Sequence, residues 1–247
     1  MGEARAVSGH LYGVGTGPGD PELLTLKAAR IIAGADVVAF FAKRGNSSNA
    51  RAIVAEHMRP GQVEEALDYP VTTEIHRHHA DYRQQIGDFY AEAAARIAVH
   101  LDAGRSVAVL SEGDPLFYGS YMHLHVRLAP HYPTEVIPGI TAMSGCWSSA
   151  GLPLVQGDEV LTVLPGTLDE AELVRRLEDS DGAVIMKLGR NLPKVRRALA
   201  AANRLADAVY VERGTMANGQ SVRLADKPDD TAPYFSLLLV AGWSERP

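Results

Sequence analysis

Short apolar runs alternate with longer segments of helical apolar spacing along most of the chain. Leu11-Tyr12-Gly13-Val14 reads as a buried strand running into a glycine-rich turn, and residues 21–32 place Leu23, Leu24, Leu26, Ala28 and Ile31 at helical spacing. Residues 36–41 predict a second strand, apolar enough for a sheet covered on both faces. Helices are predicted over 49–58 and 74–103, the longer one carrying Ile86, Phe89, Tyr90, Ala94, Ile97 and Leu101 and stopped by Gly104. Strands at 106–110 and 135–137 alternate with helices at 121–128 and 141–150.

A break at Gly151-Leu152-Pro153 divides the chain into domains 1–150 and 151–247. Beyond it, residues 160–164, 182–186 and 208–211 read as strands, with helices at 169–178 and 192–202 between them and an apolar closing strand at 234–240. Strand and helix in alternation predict two α/β domains with mainly parallel sheets and a ligand cleft between them.

Composition narrows the class. The 247 residues are enough for a sizeable core without metal or disulfide staples, and the single Cys146 can make neither an internal disulfide nor a cysteine metal site. Its expected role is a small buried apolar side chain in a protein of the reducing cytoplasm. A formal charge of −6 argues against a general nucleic-acid binder, and an anionic substrate would need a local basic pocket. The start of the chain has no signal-peptide pattern, and no 18-residue stretch is free of polar residues, so no membrane partner is expected.

Five motifs fall at predicted strand ends, where open α/β sheets bind ligands. Gly13-Val14-Gly15-Thr16-Gly17-Pro18-Gly19-Asp20 permits close backbone approach, but it is not a dinucleotide fingerprint: aligned on Gly13 the third glycine is Pro18, and aligned on Gly15 it is Asp20. A tight structural turn is its bland reading. Glu112-Gly113-Asp114-Pro115 follows the strand at 106–110, and Asp114 either caps the next helix or accepts hydrogen bonds from a ligand. Pro138-Gly139-Ile140-Thr141-Ala142, Met186-Lys187 and Glu212-Arg213-Gly214-Thr215 complete the set, with ordinary strand-to-helix connections as the alternative. His76, His78 and His79, like His123 and His125, lack the i, i+4 spacing of a helical zinc site, and no metal is expected. No serine nucleophile elbow or P-loop lysine motif is present.

In this order and spacing, the glycine loop, Gly-Asp-Pro, Pro-Gly-Ile-Thr-Ala and Glu-Arg-Gly-Thr resemble the tetrapyrrole methylases from Leu11 to about Val240. The segment 11–28 and Tyr69-Pro70-Val71-Thr72-Thr73 are most similar to the branch of that family that methylates carbon 20 in cobalamin biosynthesis. The resemblance implies a class III methyltransferase fold, and S-adenosylmethionine as methyl donor in the cleft with S-adenosylhomocysteine as product. It also implies precorrin-2 as the tetrapyrrole substrate, with cobalt-factor II as the alternative, and a cytoplasmic homodimer. By motif, donor contacts fall at Pro18, Glu112, Gly113, Asp114, Phe117, Thr141, Ala142, Met186 and Gly214.

The uroporphyrinogen-III methylases of the family carry an acidic residue where this chain has Phe41, which counts against that substrate and leaves the proton-handling residue unassigned. Tyr12, beside the glycine turn, is the first candidate for substrate orientation or proton handling, against a core tyrosine as the alternative. Lys43, Arg44, Arg51 and Arg77 are candidates for a basic rim facing the carboxylates of the substrate. A non-catalytic nucleotide or tetrapyrrole binder is the competing reading from a different class.

Overall fold

The structure is a computed structural model and describes residues 8–43, 45–70 and 80–242. The chain divides into two compact units, Met1–Thr141 and Ala142–Pro247. That division falls before the helix at Ala142–Ser149, which packs on the closing strand of the second unit.

In the first unit, strands β1 (Leu11–Gly15), β2 (Val37–Lys43), β3 (Val63–Tyr69), β4 (Val107–Ser111) and β5 (Thr134–Ile137) form one sheet in the order β3-β2-β4-β1-β5. Every pairing in it is parallel. Helices α1 (Leu26–Gly34) and α2 (Asn49–Ile53) cover one face, where Ala28, Ile32, Ala50 and Ile53 meet Val14, Val38, Ala108 and Leu110. Helices α3 (Ala80–Asp102) and α4 (Tyr121–Leu128) cover the other, where Phe89, Ile97, Tyr121 and Leu124 meet Leu11, Val37, Leu67 and Val109. With both faces buried, β4 is buried at all five positions, which explains its unbroken apolar run.

Two strands escape the hydrophobic pattern for one physical reason. β3 reads Val-Glu-Glu-Ala-Leu-Asp-Tyr and lies at a sheet edge, where charged side chains are tolerated and discourage pairing with another chain. Two of its acids have partners nearby, Glu64 in a two-pronged bond from Arg51 (2.7 and 2.9 Å) and Glu65 in bonds with Arg96 and His100. In the second unit, β9 (Gln220–Arg223) is likewise a polar edge strand.

The second sheet corrects the expectation of mainly parallel pairing. Strands β6 (Leu161–Pro165), β7 (Gly182–Met186), β8 (Ala208–Glu212), β9 and β10 (Ser236–Val240) run in the order β6-β7-β10-β8-β9. Only β6 and β7 pair in parallel; β10 is antiparallel to both β7 and β8, and β9 is antiparallel to β8. The closing strand therefore inserts at the centre of the sheet, and its five residues are all buried. Alternation of strand and helix in sequence does not fix the direction of β10, because no α-helix crossover joins it to β8 or β9. Helix α5 (Ala142–Ser149) lies on one face, and α6 (Glu170–Glu178) with α7 (Leu192–Ala201) on the other.

Candidate active site

Strand order locates the site in the first unit. From β1 the chain crosses β4 to reach β2, whereas from β4 it crosses β1 to reach β5. The loops leaving the adjacent carboxyl ends of β1 and β4 thus depart in opposite directions, which is the switch point where open parallel sheets bind ligands.

Glycine backbones pack this crevice. A Cβ on Gly15 would lie 2.5 Å from the Gly139 nitrogen and 2.7 Å from the Gly113 oxygen. One on Gly139 would lie 2.1 Å from the Gly113 oxygen. Side chains at these positions would collide with backbone, so the ends of β1, β4 and β5 can meet only as glycines. The β1 and β4 loops are also bridged: Gly113 N donates to Gly17 O (2.8 Å), and Gly17 N donates back (3.4 Å). Thr16 adds bonds from its nitrogen (2.9 Å) and its hydroxyl (3.2 Å) to the Ser111 carbonyl.

Asp114 knits in the third strand. One carboxylate oxygen accepts from Leu116 N (2.9 Å) and the other from Gly139 N (3.1 Å), so the β4 loop is tied to itself and to the β5 loop. Asp114 is therefore a clamp between two site loops rather than the cap of the next helix, which starts after Ser120, and each carboxylate oxygen keeps a lone pair for a ligand donor. Tyr118, four residues on, is held at φ 55°. Left-handed backbone at a bulky residue is costly and persists where surrounding structure imposes it.

Glu112 has a different character. Solvent reaches it, yet protein crowds it enough that desolvation raises its pKa above the ordinary carboxylate value, opposed by hydrogen bonds from the Asn49 side chain and the Ala50 backbone. Those partners are neutral. A carboxylate held by neutral donors alone suits a ligand that brings its own positive charge, and a sulfonium bearing an ammonium group fits that requirement. The sign for stability follows. The folded pKa lies above the unfolded one, so ionising Glu112 costs stability as pH rises through the interval between them. Glu112→Gln is expected to melt with the wild type near pH 4 and above it at pH 7.5, while binding S-adenosylmethionine about tenfold more weakly. Thermal melts at the two pH values and calorimetric titration check this.

The other positions called from sequence divide by unit. Pro18 is half-buried in the β1 loop, Phe117 half-buried in the β4 loop, and Thr141 lies past Gly139 at the end of the first unit. In the second unit Ala142 opens α5, Met186 ends β7, and Gly214 lies two residues past β8. Gly166 N, just beyond β6, donates to the Met186 carbonyl (2.6 Å). Gly214 lies against α5: a Cβ there would meet Cys146 Sγ at 2.7 Å. Burial pushes the Cys146 thiol up to about 11, although the Gly214 backbone bonds it, and it stays neutral.

Tyr12 is not with the strand ends. It sits three residues before Gly15, half-buried on the face covered by α1, with its ring stacked on His10 at 4.4 Å and packed into the cluster that holds Leu24 and Ile31. Strand alternation turns it under α1, as the core-tyrosine alternative requires. Lys43 is exposed at the carboxyl end of β2, the same sheet edge as the site. The guanidinium of Arg51 is bonded to Glu64. Arg44, Arg77, His76, His78, His79 and the segment Val71-Thr72-Thr73 lie outside the described residues. Among the described residues no cluster of three or more His, Cys, Asp or Glu could hold a metal ion, and no helix is long and apolar enough to cross a membrane. Sequence reasoning missed Asn49, which supports Glu112 from 63 residues upstream, because nothing in its own neighbourhood distinguishes it from a helix-start asparagine.

A parallel sheet with a glycine-packed switch point and a second α/β unit agrees with what the motifs imply. The chain belongs to the tetrapyrrole (corrin/porphyrin) methylases, whose family model matches residues 10–226. Among its relatives, precorrin-2 C(20)-methyltransferase of Sinorhizobium sp is 68% identical over 239 residues, covering 97% of this chain and 98% of the relative. Cobalt-precorrin-2 C(20)-methyltransferase of Salmonella typhimurium is 28% identical over 237 residues, covering 95% and 97%. A solved cobalt precorrin-4 methyltransferase superposes with a TM-score of 0.72 at 23% identity over 96% of each chain, a likeness of fold.

Proposed function

We propose that this protein transfers a methyl group from S-adenosylmethionine to the C-20 meso carbon of precorrin-2, giving precorrin-3A in cobalamin biosynthesis. The observation that carries this reading is the 68% identity, along almost the whole of both chains, to a precorrin-2 C(20)-methyltransferase. The cobalt-loaded substrate is the second reading, supported by the more distant 28% relative. Offering the purified enzyme metal-free precorrin-2 and cobalt-factor II with labelled methyl donor separates them. Label in the metal-free product at the higher kcat/KM supports the first reading, and preference for the cobalt form favours the second. Donor binding without transfer to either would make the protein a binding module.

S-adenosylmethionine, when bound, supplies an electrophilic methyl group on a sulfonium. The protein's own residues have no covalent step to perform: the substrate carbon is the nucleophile, so the rate enhancement rests on alignment. Glu112 offers charge to the cationic donor, and Asp114 holds the β4 and β5 loops in register. The glycine backbones of the β1 and β4 loops let the two approach closely. Pro18, Phe117 and Thr141 lie in the β1, β4 and β5 loops respectively, and family resemblance adds Ala142, Met186 and Gly214 as donor contacts. Lys43, at the sheet edge, is placed to meet a substrate carboxylate. The proposal extends to a cytoplasmic homodimer, on the family resemblance and on Cys146 as a buried free thiol.

A further inference from the structure

The serine that opens α4 does not cap it. Ser120 occupies the N-cap position, where a serine hydroxyl ordinarily accepts from a backbone N–H of the first turn, yet it makes no such bond. Its hydroxyl is instead hydrogen-bonded to the phenol of Tyr69 and accepts from the phenol of Tyr90 at 3.2 Å. A local rule set aside for a specific tertiary contact marks a position shaped by something other than helix stability.

The three residues come from different elements. Tyr69 ends β3, paired in register with Lys43 at the carboxyl edge of the sheet, and stacks on Phe41 with centroids 5.6 Å apart. Tyr90 comes from α3 and is buried, its ring stacked on His123 at 4.0 Å. Ser120 directly follows the loop 112–119, whose other end is fixed by the Asp114 clamp. Within that loop, a Cβ on Gly119 would meet the Ser111 hydroxyl at 2.7 Å, so the chain entering Ser120 is pressed onto the end of β4. The loop carrying Glu112 and Asp114 is therefore secured at both ends, and the second anchor is β3, the strand that runs into Tyr69-Pro70.

We propose that Ser120 is a positioning residue for methyl transfer: its bond to Tyr69 latches the loop 112–119 to the end of β3 and so sets the alignment of donor and acceptor. This rests on the function proposed above. A latch that acts on alignment shows in turnover more than in binding, because a small misplacement of reacting atoms costs rate while leaving each ligand's contacts in place.

Ser120→Ala is expected to lower kcat for the tetrapyrrole about tenfold, with its KM and the S-adenosylmethionine Kd within about twofold of wild type. Ser120→Thr, which keeps the hydroxyl, should restore at least half of the turnover. Tyr69→Phe, which keeps the ring and removes only the phenol oxygen, should reproduce the Ser120→Ala loss and guards against a folding artefact. Wild-type turnover with all three variants unchanged in kcat overturns the latch and leaves the methyltransferase reading intact. A lowered Tm with unchanged kcat in Ser120→Ala and Tyr69→Phe assigns the bond to stability alone and also overturns it. If the wild-type enzyme transfers label to no tetrapyrrole, the reading and the latch fall together.

Discussion

Gly139→Ala is expected to melt about 6 to 12 °C below the wild type and to lose measurable S-adenosylmethionine binding. The added methyl would sit 2.1 Å from the Gly113 carbonyl oxygen and 2.9 Å from the Gly15 Cα, and both obstacles are backbone. Relief requires moving a strand end, which places the cost at the upper end of overpacking, about 3 kcal/mol. For a chain of this size that corresponds to roughly 2 to 4 °C per kcal/mol. The movement also opens the crevice between the β1, β4 and β5 loops, so binding fails with stability. Gly34→Ala is the control: it ends α1, and its Cβ would meet nothing within 4 Å. That variant should melt at or slightly above the wild-type temperature and bind the donor normally. Equal melting of the two variants would show that the glycine packing at the site is not tight.

Removing the Asp114 carboxylate has the second largest expected effect. Asp114→Ala strips the acceptor from Leu116 N and from Gly139 N. Both sit where water can replace part of the loss, so the expected destabilisation is about 2 kcal/mol, within the range for donors left unpaired. The functional loss should be larger, at least thirtyfold in donor Kd, because the β4 and β5 loops lose their mutual register. Asp114→Asn keeps one acceptor oxygen and should fall between the two. Calorimetric titration beside thermal melts distinguishes the clamp from a simple turn: a lowered Tm with unchanged Kd would reduce Asp114 to local structure.

The division between what the sequence reveals and what it conceals follows physical lines. Strands buried on both faces announce themselves, as β4 and β10 do, because four of the five positions in each are consecutive apolar residues. Edge strands such as β3 and β9 carry charge and polarity to discourage pairing, and that same property hides them from a hydrophobic pattern. Strand direction is hidden as well, so the antiparallel insertion of β10 emerges only from the sheet.

The site follows the same logic. Glycines and acids at strand ends are visible as motifs, but their force depends on β1 and β4 being neighbours, and that is a property of strand order. Tyr12 looked like a site residue because it adjoins the glycine turn in sequence, whereas the alternation of side chains across β1 turns it toward α1. Arg51 looked like a free cation until β3, unrecognised in sequence, brought Glu64 to it. Asn49 and Ser120 carry no signature of their own, since each acts through a partner at least 30 residues away.

The proposed activity is methylation of one carbon of one tetrapyrrole. Incubating the enzyme with precorrin-2 and S-adenosylmethionine carrying a 13C-labelled methyl group, then locating the label by NMR, tests it most directly. One labelled methyl per product molecule is expected, on the C-20 meso carbon. Label at any other carbon, or an unlabelled tetrapyrrole beside intact donor, would contradict it.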